Sequence, residues 1–165
     1  MKKVRFNPKI LKKFFTYKTR EMCKSCKRYG KKATCPPYID SVDYYKKTLP
    51  SYNKGILLIE KFDIDDKKNW KKLGKKSSLS IHNKLIAIRS EYLKKGIFTI
   101  IFGAGSCKLC PNCQIPCKFP AKSIIPIEGT GLNVIKMVYS ITKIKIKFPV
   151  EKQNFFYRVG VMLYD

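Results

Sequence analysis

Residues 97–106 read Ile-Phe-Thr-Ile-Ile-Phe-Gly-Ala-Gly-Ser, and residues 107–117 continue Cys-Lys-Leu-Cys-Pro-Asn-Cys-Gln-Ile-Pro-Cys. Ile97 to Phe102 is a short apolar run, rich in β-branched and aromatic residues and bounded by Gly96 and Gly103, which predicts a buried strand. Upstream, Leu79, Ile81, Leu85, Ile88, Tyr92 and Leu93 recur at helical spacing behind Ser77 and Ser78, and Gly96 closes the pattern. Further upstream, Gly55 to Phe62 is a second apolar run of strand length. Strand, helix, strand predicts a right-handed βαβ unit with parallel strands, the second strand opening into a loop dense in thiols.

The remainder of the chain fits around this unit. Asn7 before Pro8 starts a helix over about residues 8–18, with Ile10, Leu11, Phe14 and Phe15 as its apolar stripe. Residues 23–38 contain Gly30, Pro36 and Pro37 and no periodicity, so they read as a loop wrapped around something. Ser41 caps a short helix ending near Leu49. After the second cysteine loop, residues 131–140 read as a helix, Ile141 to Phe148 alternates Ile with Lys like a half-exposed strand, and Phe155 to Tyr164 reads as a last strand. The fold class expected is α/β: one domain over residues 1–165, with a small mixed sheet of about four strands, flanking helices and two cysteine-rich metal-binding loops. A chain of 165 residues is long enough to bury a core of its own.

The seven cysteines fall in two groups: Cys23, Cys26 and Cys35 as C-x2-C-x8-C followed by Pro36 and Pro37, and Cys107, Cys110, Cys113 and Cys117 as C-x2-C-x2-C-x3-C. C-x2-C-x2-C lets one loop reach three corners of a [4Fe–4S] cube, and in two-cluster ferredoxins the fourth cysteine of such a run ligates the other cluster. Cys117 therefore either completes one cluster in its own loop or joins Cys23, Cys26 and Cys35. In the second case Cys107, Cys110 and Cys113 leave one iron open, able to act as a Lewis acid on a substrate. The alternative is zinc, with Cys23-x2-Cys26 and Cys107-x2-Cys110 as the knuckles of a tetrahedral all-thiolate site that would staple an interaction module together.

The net charge of +25 arises from 36 Lys and Arg against 11 Asp and Glu, and arginine stands only at positions 5, 20, 28, 89 and 158. Guanidinium forks are preferred for phosphate and base recognition, so a lysine excess points first to genome composition or thermal adaptation. RNA contact and docking to an acidic partner remain as readings of the charge. The start, Met-Lys-Lys-Val-Arg-Phe-Asn-Pro, lacks the apolar segment of a signal peptide, which predicts a reducing, cytoplasmic setting, and no apolar run approaches membrane-spanning length. Gly103-Ala104-Gly105 lacks the third glycine of a nucleotide-binding loop, and His82, the only histidine, reads as a helix-packing or surface residue. Glu128, before Gly129 and Gly131, reads either as a carboxylate neighbouring the metal loop or as a charge at the start of the helix from Gly131.

Taken together, Cys23-x2-Cys26-x2-Tyr29-Gly30 with Cys35-Pro36-Pro37, then Gly103-Ala104-Gly105-x-Cys107 through Cys117-x2-Pro120, then Glu128-x2-Gly131-x2-Val134, resembles a family of predicted metal-binding proteins of anaerobic archaea and bacteria. The resemblance spans about residues 20–135 and implies bound iron–sulfur clusters. Where the family commonly has Arg-His-Pro this chain has Lys118-Phe119-Pro120, and where it has Arg-Pro-Ser this chain has Ile124-Ile125-Pro126. The expectation is an iron–sulfur protein with one or two [4Fe–4S] clusters on Cys23, Cys26, Cys35, Cys107, Cys110, Cys113 and Cys117. Its role would be electron transfer or sulfur-related redox chemistry, with a redox partner or as an accessory subunit of a larger enzyme. Two alternatives stand beside it: a zinc-stapled interaction or RNA-binding module, and a cluster enzyme acting on a thiolated substrate through an open iron.

Overall fold

The computed structural model describes residues 1–165, apart from the side chains of Lys67 and Glu151. Five strands form one sheet in the order β1-β2-β5-β3-β4. They are β1 Lys2–Phe6, β2 Lys54–Asp63, β3 Thr99–Gly103, β4 Ile125–Pro126 and β5 Phe155–Tyr164. The α/β class is as expected, with five strands in place of about four.

β2 and β3 do run parallel, but they are not neighbours: β5 lies between them and pairs antiparallel with both. The last strand of the chain is thus the centre of the sheet, which agrees with its run of buried residues from Val159 to Tyr164. β1 was not expected, because Lys-Lys-Val-Arg-Phe carries no strand-length apolar run. It pairs antiparallel with β2 along Lys2 to Phe6.

Both faces of the sheet are covered. On one face Leu57, Ile59, Phe102, Val159, Val161 and Leu163 pack against Leu11, Tyr45, Leu49, Met137 and Val138. These come from the 3-10 turn Pro8–Lys13, from helix α2 Val42–Thr48 and the turn after it, and from helix α4 Val134–Thr142. On the other face Ile56, Leu58, Ile101 and Met162 pack against Ile81 and Leu85 of helix α3 Trp70–Lys94. Consecutive residues Ile56 to Ile59 are therefore all buried, alternately into the two cores.

Three expectations needed correction. Residues 8–18 are not one helix: the Pro8–Lys13 turn, opened by Asn7 Oδ1 accepting from the Lys9 N–H at 3.0 Å, is separated from helix α1 Tyr17–Glu21. The break arises because the Thr16 N–H donates to the Gly131 carbonyl at 2.9 Å and Phe15 bridges to Leu132. The long helix starts at Trp70 rather than near Ser77. Residues 143–148 form no strand: Ile144 and Ile146 turn toward the core while Lys143, Lys145 and Lys147 stay exposed, so one-sided burial produces the alternation without any partner.

The length of the strands positions the site. β2 pairs with all of β5, from Phe155 to Tyr164, whereas β3 pairs only with Gly160 to Tyr164. Beyond Gly103 the chain leaves the sheet, and residues 155–159 pair with β2 alone. Both cysteine loops gather at that open edge, at the carboxyl end of β3, where open α/β sheets commonly place their sites.

Candidate metal centre

The first cysteine loop is a succession of tight turns, most with a cysteine at an end. The Cys26 N–H donates to the Cys23 carbonyl at 3.0 Å, Tyr29 to Cys26 at 3.0 Å, Cys35 to Lys32 at 2.9 Å and Tyr38 to Cys35 at 3.0 Å. Gly30 has φ +67° and donates to the Pro36 carbonyl at 3.0 Å, closing the loop on itself at a backbone angle that side chains disfavour. Arg20, on α1, anchors the loop: its guanidinium donates to the carbonyls of Gly129 at 2.5 Å, Asp40 at 2.8 Å and Ile39 at 3.2 Å.

The second loop leaves β3 at Gly103, whose missing side chain is required: a Cβ there would sit 2.5 Å from His82 Nε2. The Ala104 carbonyl accepts from Ser78 Oγ at 2.8 Å, and Lys108 Nζ donates to Ser78 Oγ at 3.1 Å and to the Ser106 carbonyl at 3.2 Å. At its far end Arg89 holds the Ala121 carbonyl at 2.6 Å, and Ile127 donates to the Gly103 carbonyl at 3.0 Å. Helix α3 thus fixes both ends of the loop, with Ser78 at one and Arg89 at the other.

Two contacts join the loops: Arg28 donates to Ser106 Oγ at 2.6 Å, and the Ala33 N–H donates to Cys113 Sγ at 3.4 Å. Among the described residues, the thiol of the second run that is hydrogen-bonded to the first loop is therefore Cys113. Cys107, Cys110 and Cys117 are half-buried in their own loop, and among the described residues none is hydrogen-bonded to the first loop.

Cys35 is buried and Cys26 exposed, and all seven cysteines are free thiols. Burial pushes the Cys35 thiol up to about 11, the neighbouring Cys26 and Cys23 add to this, Arg28 opposes, and Cys113 adds again. Burial likewise raises Cys23, with Glu128 adding and Arg20 opposing. A bound cation would invert this, because thiol ligands must lose their protons to bind metal.

Cys23, Cys26 and Cys35 line a cleft of about 970 Å³ that also takes in Glu128, Lys108, Arg158 and Trp70. Glu128 Oε2 is buried without a hydrogen-bond partner, and burial holds its carboxyl above the usual range. Its place settles the two readings of this residue. The helix expected from Gly131 begins at Val134 and is capped by Asn133 Oδ1, which accepts from the Lys136 N–H at 3.1 Å. Glu128 is therefore not that helix's terminal charge but a neighbour of the cysteine cleft. His82 is fully buried against Gly103 and does not line the cysteine cleft, which makes it a packing residue, and burial and the Lys108 charge push its pKa down to about 4.

The donor chemistry suits a soft metal centre: several thiols, one receiving a backbone N–H, with arginines beside them and a buried carboxyl behind. Among the described residues, however, no three His, Cys, Asp or Glu side chains converge closely enough to hold a single metal ion. Tetrahedral zinc, at about 2.3 Å from each sulfur, needs such convergence.

No helix among the described residues is long and apolar enough to cross a membrane. No curated protein and no solved structure matches the chain. One family model does, described as predicted metal-binding protein (DUF2284), over residues 11–164. The match takes in both cysteine loops, all five strands except β1, and the cleft between them. The chain belongs to this family of predicted metal-binding proteins.

Proposed function

We propose that residues 1–165 form one iron–sulfur domain in which Cys23, Cys26, Cys35 and Cys113 hold a [4Fe–4S] cluster, and Cys107, Cys110 and Cys117 are the ligands left for a second. The observation that carries this reading is the Ala33 N–H to Cys113 Sγ contact, which ties a thiol of the second run to the three of the first. Backbone donors to sulfur favour the thiolate, and they are among the features that set a cluster's potential.

When bound, such a cluster supplies one-electron chemistry, and the minimal role is electron transfer with a redox partner in an oxygen-poor, reducing cytoplasm. The chain's own contributions are local. Arg20 and Arg28 fix the first loop against the turns at Gly129 and Ser106, and Glu128 stands beside Cys23 as a carboxylate near the sulfurs.

The test is spectroscopic. Protein isolated without oxygen should be coloured, bleach with dithionite and then show an electron paramagnetic resonance signal. Cys113→Ala should remove a centre that Cys117→Ala leaves in place, if Cys113 is the fourth ligand of the first group. A colourless protein silent to dithionite would contradict the reading and favour zinc.

A further inference from the structure

The cleft beside the cysteines is larger and more basic than thiol ligation requires. Its wall carries Arg28, Lys71, Lys75, Lys108 and Arg158 against Glu128 alone, leaving aside the cysteines. Among the described residues the salt bridges are Lys61–Asp63 and Lys84–Glu60, so neither half-buried cation, Lys108 or Arg158, is in salt-bridge contact, and the buried Glu128 carboxyl is the one acidic side chain whose charge reaches both. Several cations taken partly out of water against a single carboxyl are costly, and a site that holds them there is prepared for an anion.

These two cations are held by neutral groups. Arg158 Nε donates to Ser77 Oγ and its Nη2 to the Gly74 carbonyl, both at 3.0 Å, while Lys108 donates to Ser78 Oγ and the Ser106 carbonyl. The guanidinium also lies over the Phe156 ring, 4.9 Å from its centroid. Position is thereby fixed while the cations outnumber the one nearby carboxyl, Glu128, and donors remain available. Much of the remaining wall is apolar, with Trp70, Val134, Ile146 and Phe148 among its residues. A cluster's counter-charges would explain the cations, but not an apolar cleft of this volume, which falls in the range of small-molecule sites.

We propose that this cleft binds one small organic anion, its carboxylate or phosphate head on Arg158 and Lys108 with Arg28 at the rim, and its apolar body against Trp70, Ile146 and Phe148. Arginine suits the head group because its planar fork meets an oxyanion with two parallel bonds. The thiols of Cys23, Cys26 and Cys35 open on the same cleft, so the ligand would lie beside whatever those cysteines hold. The anion site itself stands on the cations and does not depend on which metal that is.

The experiment compares 1-naphthyl phosphate and 1-naphthoate with neutral 1-naphthol by calorimetry on protein isolated without oxygen, following the emission of Trp70, the only tryptophan. Saturable binding of at least one anion at one per chain, with changed Trp70 emission and at least tenfold preference over naphthol, supports the proposal. Arg158→Gln and Arg28→Gln should each weaken that binding about tenfold or more, and Lys143→Gln should leave it unchanged. Equal binding of naphthol, or anion binding that both arginine variants retain, overturns it. If Arg158→Gln does not fold, the comparison with naphthol and the Arg28 variant decide. Iron is measured on every sample. Anion binding without iron overturns the cluster reading alone, and iron without anion preference overturns this proposal alone.

Discussion

Four of the five arginines have a bonding role that the lysine-rich composition conceals. Arg20, Arg28, Arg89 and Arg158 each donate across the fold to a loop or helix around the site. In a chain whose positive charge is nearly all lysine, these few guanidinium groups were the legible signal of the site's framework, and reading the charge only in bulk passes over them. His82 illustrates the other side of residue-scale reading, since nothing local tells a packed histidine from a surface one. Its folded pKa of about 4 lies below the ordinary 6.5. The unfolded chain therefore takes up the proton first, and the contribution is complete above pH 6.5 and lost as pH falls toward 4. We expect this residue alone to cost about 2 kcal/mol between pH 7 and pH 5. Urea melts at the two values should show a smaller loss for His82→Leu than for the native chain; identical losses would refute the assignment.

At the scale of elements, helix α3 explains both what the sequence revealed and what it hid. Its buried stripe runs Gly74, Ser77, Ser78, Ile81, His82, Leu85, at proper helical spacing. Only the later part is apolar and faces the sheet, while the earlier part is small and polar because it receives Arg158, Lys108 and the Ala104 carbonyl. A search for apolar periodicity sees the second part and begins the helix too late, so the portion it misses is the portion that serves the site. The same helix presses on β5 at Gly160, where a Cβ would lie 2.9 Å from Leu85 Cδ1 and 3.1 Å from Ile81 Cγ2. Gly160→Ala should therefore destabilise by roughly 1–3 kcal/mol through overpacking. A thermal melt would read this as a lower midpoint, and an unchanged midpoint would mean that the helix is free to move away. Residues 143–148 went wrong for the opposite reason: period-two alternation reports one-sided burial, and strand pairing is a separate fact that it does not carry.

Across the whole molecule, the class and the cysteine loops were legible because continuous apolar runs and dense thiols are local patterns. The strand order was not, because it depends on β5 inserting between β2 and β3, a pairing between residues about 60 to 110 positions apart. That insertion also sets the site, since β5 extends beyond β3 and leaves the edge where the loops meet. Nor does spacing show which thiol of the second run meets the first loop, which depends on the path of the chain that brings Cys113 to Ala33. The central claim is that these loops together hold iron–sulfur clusters. Elemental analysis for iron, zinc and acid-labile sulfide on protein isolated without oxygen tests it most directly. The account predicts about four or eight iron per chain with sulfide in equal amount. About one zinc per chain and no sulfide would contradict it.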